Sequence, residues 1–178
     1  MNWRRIVLIV AVLALGVYWL APRSGGAPEA LTLRQAEKLT FYEGLPHQHF
    51  ESDSLKAEKK AKPTIELHGF PFYEQLLQFK PGDEEKLKAM LADKGFCWLH
   101  HPGDGEPDCG GFHPDYALTW TAAGKSYEAL LCLGCAEMRI YGPIGEVRYF
   151  MPSEPWRRLK ELLKPYRQNR PPFQAPVL

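Results

Sequence analysis

The stretch Cys109–Met151, CGGFHPDYALTWTAAGKSYEALLCLGCAEMRIYGPIGEVRYFM, decides the fold. Tyr116, Leu118 and Trp120 alternate with Ala117, Thr119 and Thr121, the period-two pattern of a strand with one buried face. AAGK (Ala122–Lys125) and GPIG (Gly142–Gly145) are turn sequences. Tyr127–Leu133 is nearly apolar throughout, as suits a central strand covered on both sides. Met138 and Ile140 alternate with Glu137, Arg139 and Tyr141, and EVRYFM supplies one more strand. The expected core is therefore a four-stranded antiparallel meander.

Helices are expected on either side of it. From Asp83, Leu87, Met90 and Leu91 share one helical stripe, acids occupy the first turn, and Gly95 reads as the stop. Phe96–Leu99 reads as a short buried strand. After Ser153, a candidate cap with Pro155 in the first turn, Trp156, Leu159, Leu162, Leu163 and Tyr166 form a second stripe. The sequence thus predicts an α+β fold, an antiparallel β-meander with flanking helices on one face of the sheet, over residues 64–170, with 171–178 as a tail. Thr64–His68 alternates as a strand, and Phe70–Phe79 fits strand or helix. Residues 31–63 read as a charged, partly helical connector: a short helix with Thr32 and Gln35 at capping-box spacing, an extended FYEGLPHQHF broken by Gly44 and Pro46, and a solvated helix over Ser54–Lys62. Pro22–Ala30 is a linker with little to bury.

The amino-terminal end sets the expected compartment. Ile6–Ala21 carries no charge, follows Arg4 and Arg5, and is flanked by Trp3 and Tyr18–Trp19. Sixteen residues at about 1.5 Å each fall slightly short of a roughly 30 Å hydrocarbon layer, a gap that interfacial aromatics and snorkelling arginines can close. Residues 1–21 are expected to be a transmembrane helix with a cytoplasmic amino terminus and the body outside. The competing reading is a cleaved signal peptide, giving a secreted or periplasmic protein. Trp19 at −3 makes Ala21 a poor cleavage position, and Pro28 follows the acceptable one at Ala27.

Composition excludes little: net charge is +1 in 178 residues, so no charge imbalance argues for nucleic acid. The basic carboxy-terminal helix, WRRLKELLKPYRQNR, reads as a core-packing helix with a wet basic face. Contact with anionic headgroups or an acidic partner is the sharper alternative.

Chemistry concentrates in the cysteines. Cys132 and Cys135, a C-x2-C at a tight turn, can chelate one metal or form a bond. Cys109 and His113, a C-x3-H at the start of the first meander strand, would complete a tetrahedral zinc site if the two segments meet; Cys97 or His100 could replace one ligand. Such a closed site would be structural. In an oxidising compartment disulfides compete, either Cys97–Cys109 or Cys109 with one of the C-x2-C pair. Thiol redox catalysis is disfavoured because no helix follows the motif. Asp104, Glu106, Asp108 and Asp115 have calcium-loop spacing, but Cys109 stands where that loop needs glycine, so they read as a solvated acidic turn. His47 and His49, and the His100–His101 pair, read as solvated or hydrogen-bonded side chains, with a weak surface metal site at the first pair as the alternative. No nucleophile elbow, P-loop, HExxH or dinucleotide fingerprint occurs, and no enzyme activity is expected.

YEGLPHQHF (Tyr42–Phe50), CGGFHPDYAL (Cys109–Leu118) and LLCLGCAEMRIYGP (Leu130–Pro143) resemble uncharacterised bacterial families of exported or singly membrane-anchored proteins. That resemblance implies a bacterial origin and an envelope placement and transfers no activity. The leading expectation is an inner-membrane-anchored exported domain with a structural role or an unknown envelope protein as partner. A zinc-binding module using Cys109, His113, Cys132 and Cys135 is the first alternative, and a thiol–disulfide oxidoreductase the second.

Overall fold

The computed structural model describes residues 26–101, 104 and 110–172. The expected anchor and Cys109 lie outside them. Among the described residues no helix is long and apolar enough to cross a membrane.

The chain runs through helix α1 (Pro28–Leu31) and a 3-10 turn (Thr32–Gln35) into strand β1 (Lys38–Gly44) and helix α2 (Ser52–Ala61). Next come strands β2 (Thr64–Leu67) and β3 (Phe70–Leu76), helix α3 (Asp83–Leu91) and the two-residue strand β4 (Trp98–Leu99). The meander follows as β5 (Tyr116–Ala122), β6 (Lys125–Cys132), β7 (Glu137–Gly142) and β8 (Gly145–Phe150). Helix α4 (Ser153–Leu163) and a 3-10 turn (Lys164–Tyr166) close the described elements. All eight strands form one antiparallel sheet in the order β2-β3-β1-β5-β6-β7-β8-β4.

The meander forms where its alternation and turns place it. Ala123 and Gly124 both take left-handed backbone (φ 50° and 69°), as a two-residue hairpin turn requires. Tyr116, Leu118 and Trp120 join Leu131, Met138, Ile140 and Tyr149 in the main core, which α1, α3 and α4 cover with Ala30, Leu87, Leu91, Leu159 and Leu163. The opposite face carries a smaller cluster of Phe72, Ala117 and Leu130, flanked by half-buried Tyr42, Phe70, Phe112 and Tyr141. Phe112, from the loop before β5, meets Phe70 edge-on at 5.3 Å and lies under the Arg139 guanidinium at 3.8 Å. By alternation Cys132 shares the face of Leu130.

Several local expectations change. The segment taken as a connector contributes β1, which lies inside the sheet between β3 and β5. Its inward Phe41 stacks on Phe79 at 4.8 Å. The end of the supposed linker is buried: Ala27 and Ala30 fit under the helical layer because they are small. Thr32 does not cap a helix; its hydroxyl donates to the Glu29 carbonyl and accepts from the Trp120 indole. Phe70–Leu76 resolves as strand. Asp83 starts α3 but caps nothing, because its carboxylate is taken by Lys86 and the Tyr166 hydroxyl. The helix ends at Leu91, before Gly95, and Trp98 and Leu99 form an exposed edge strand in place of a buried one. Ser153 is the first residue of α4, with Pro152 at the cap position.

One glycine fixes the route into the site. A Cβ on Gly44 would stand 2.1 Å from the Pro114 carbonyl oxygen, where β1 ends against the chain entering β5. Gly44→Ala is expected to cost about 2 kcal/mol through this overpacking, read as a lowered urea midpoint. An unchanged midpoint would show that the approach is soft.

Candidate thiol–imidazole site

The antiparallel register gathers the site at one end of the sheet. Glu43 pairs with Tyr116, Tyr116 with Leu131, and Cys132 with Glu137, so β1 and β6 end where β5 and β7 begin. Continuing the β5–β6 register beyond its strands sets Asp115 opposite Cys132 and His113 opposite Gly134. The C-x3-H and C-x2-C segments therefore converge because consecutive hairpin strands must do so.

Asp115 is the organising residue of this end. Its N–H donates to the Leu131 carbonyl (2.8 Å), its carbonyl accepts from Gly44 (2.8 Å), and its carboxylate accepts from the Leu133 N–H (2.7 Å) and Arg170 Nη1 (2.9 Å). The carboxylate thereby holds the first residue of the Leu133–Gly134 turn between the two cysteines.

Cys132 is buried at 2% exposure. The Cys135 thiol and the backbone N–H groups of His113 and Cys135 lie close enough to favour the Cys132 thiolate form. The Cys135 thiol is the largest influence, and with the two amides it outweighs burial and holds the Cys132 thiol down at about 7. Cys135 is half-buried.

His113 is buried, and its Nε2 lies 2.9 Å from the Leu45 carbonyl oxygen. A carbonyl only accepts, so Nε2 carries the hydrogen and Nδ1 keeps its lone pair. Burial, helped by the Arg170 charge, brings the imidazole down to about 4, so it is neutral at pH 7.

His47 lies beside it, ring centroids 4.6 Å apart, in the opposite tautomer. Its Nδ1 accepts from the N–H groups of His49 (3.1 Å) and Phe50 (3.4 Å), which leaves the hydrogen on Nε2. That Nε2 is buried and has no hydrogen-bond partner among the described residues. His47, His113, Cys132, Gly134 and Arg170 are among the residues that line a cavity of about 270 Å³ here.

A carboxy-terminal arm closes the site. The Glu43 carboxylate, on a residue 1% exposed, accepts from the backbone N–H groups of Gln168 (3.1 Å), Asn169 (2.7 Å) and Arg170 (3.0 Å), and from Asn169 Nδ2 (3.0 Å). Arg170 then bridges Glu51 and Asp115. Glu51 also accepts the His47 N–H at 2.9 Å. Burial works to raise the Glu51 carboxyl, but that amide and the Arg170 guanidinium together hold it below its ordinary value.

Of the predicted ligands, His113, Cys132 and Cys135 come together, and Cys109 lies outside the described residues. Cys97 does not join them. It packs in the helix-side core, where burial and the Glu29 carboxylate push its thiol up to about 12. His100 stacks edge-on against Phe150 at 4.8 Å, on the edge strand's side of the sheet. Cys97, Cys132 and Cys135 carry no disulfide, so neither the expected Cys97–Cys109 bond nor one from Cys109 to the C-x2-C pair is formed. Among the described residues no group of three or more His, Cys, Asp and Glu side chains is arranged to hold a metal ion. His49 and His47 do not form a surface pair; their rings are 5.8 Å apart and His47 is spent on the local turn. Asp104 accepts the His101 N–H in a turn.

Glu43, Glu51 and Arg170 were not singled out by sequence reasoning. The available signal was Glu43 itself, a charge at an inward strand position, flanked by Phe41 two residues before.

No family model matches the chain, and no curated protein or solved structure matches it either.

Proposed function

We propose that this chain is a membrane-tethered bacterial envelope domain whose chemical centre is a structural zinc site that the ion itself assembles from Cys132, Cys135 and His113, completed by Cys109, since the three described side chains are not arranged around an ion beforehand. One observation carries the reading: the hairpin register of β5 and β6, continued past Tyr116 and Leu131, brings the two predicted ligand segments together, with His113 opposite Gly134 of the C-x2-C turn. His113 adds to it. Its Nε2–H is held by a backbone carbonyl and its Nδ1 lone pair is uncommitted, the outer-shell arrangement that orients a ligating imidazole. A donor set of three sulfurs and one nitrogen suits zinc and leaves no open position. The ion would tie the Gly110–Pro114 chain to the sheet end, shaping a displayed surface for another envelope component. The uncharged run over Ile6–Ala21 supports the tether, with the body on the outer side.

The oxidoreductase reading fits less well. The thiol with the lowered pKa is the buried Cys132, whereas a nucleophile in disulfide exchange must be reached by its partner.

The full chain, purified in neutral detergent without chelator, is expected to hold one zinc per molecule. Cys132→Ala is expected to lose it, and Cys97→Ala to keep it. Wild-type protein without stoichiometric zinc overturns the reading.

A further inference from the structure

A second cleft, of about 420 Å³, opens on the other side of Arg170, between α4 with its following turn and the ends of β5 and β6. Its walls include Tyr116 and Leu133, and its rim carries Lys160, Lys164 and Arg167. The charges do not cancel. Glu43 is consumed by the backbone of the carboxy-terminal arm, and Asp115 by Leu133 and Arg170. That leaves Glu161 as the acid facing three cations. Lys160 sits over the Trp156 ring at 4.3 Å, and Arg167 donates to the Pro171 carbonyl, not to an acid, among the described residues. Arg170 lines both cavities, is 10% exposed, and its buried Nε has no hydrogen-bond partner among the described residues. In the smaller cavity the one cation, Arg170, is itself held by Glu51 and Asp115, so an anion belongs in the larger one.

We propose that this cleft binds a phosphate ester, its oxyanion head held by Lys160, Lys164 and Arg167 and its apolar body against Leu133 and Tyr116. Charge-assisted hydrogen bonds from several cations select an oxyanion, and the cleft is larger than a bare phosphate needs. The proposal does not depend on the metal.

The test is calorimetric titration of the full chain in neutral detergent with glycerol 1-phosphate, and separately with phosphatidylglycerol in mixed micelles. The Lys160→Ala/Lys164→Ala double variant removes two exposed rim cations without touching the core, and its urea midpoint reports on folding independently of any metal. Saturable one-to-one binding, weakened at least tenfold in the variant, is expected. Binding of glycerol 1-phosphate identifies a soluble ester, and binding of the lipid alone identifies a headgroup. Absence of saturable binding to either probe, or equal binding by the variant, overturns the proposal.

Discussion

Glu43→Ala is expected to lower the stability of the domain by about 3 kcal/mol, because hydrogen bonds to a charged acceptor contribute about 1.5–3 kcal/mol each and several are lost together. Three backbone N–H groups and the Asn169 amide lose their acceptor together. In urea this corresponds to a midpoint lowered by about 1–2 M. Glu43→Gln keeps one carbonyl oxygen and is expected to lose about half as much. The consequence reaches the site, because Arg170 ends the segment that Glu43 holds. The arm's release also withdraws Arg170 from Glu51 and Asp115, so Glu43→Ala and Arg170→Ala are expected to be strongly non-additive. Additive losses would show that the arm and the ion pairs are independent.

Arg170→Ala is the second large effect, about 3 kcal/mol, since removing one member of a buried ionic cluster strands the others. Glu51, 8% exposed, is the more severely stranded partner. A pH signature separates this from simple loss of packing. In the wild type the Glu51 carboxyl lies below its ordinary value of 4.5, with burial overcome by the His47 amide and Arg170. A carboxyl lowered by folding contributes stability that is full above its unfolded pKa and is lost as pH falls through the folded value. Stability should therefore fall on acidification from pH 4.5 downward. Without Arg170, burial regains weight, the folded carboxyl moves upward, and the acid dependence should flatten. Urea midpoints measured across that window check this, and an unchanged slope would remove Glu51 from the account.

The legible part of the fold was the part whose physics is local. β5 to β8 follow from alternation and from turns whose backbone only certain residues adopt easily, such as Gly124. β1 was hidden because Glu43 breaks the apolar pattern on its inward face. The acceptor's partners lie 125–127 residues away in the carboxy-terminal arm, beyond any window of sequence. α1 was hidden for a different reason. Ala27 and Ala30 bury because they are small enough to fit, and half-buried Gly26 passes so close that a Cβ there would stand 2.9 Å from the Lys94 Cα. Small residues with a proline resemble a linker in composition while packing like a core.

The site divides the same way. The C-x3-H and C-x2-C spacings were readable, and hairpin register brings His113 and Cys132 together as those spacings require. Cys97 was not separable by sequence, because FCWL gives no sign that Cys97 faces the helix layer while Cys132 faces the other side. The tautomers of His47 and His113, which decide the ring nitrogen that keeps its lone pair, depend on a local turn and on the Leu45 carbonyl.

Cys135 offers the most direct test of the central claim, being the half-buried member of the pair and open to a labelling reagent unless a metal holds it. The measurement is the native-state alkylation rate of Cys135 in the full chain, followed by mass spectrometry before and after a zinc chelator. The account predicts slow labelling at first and fast labelling once zinc is withdrawn, with the released zinc matching the protected chains one to one. Fast labelling before the chelator is added, with no zinc released by it, would contradict it.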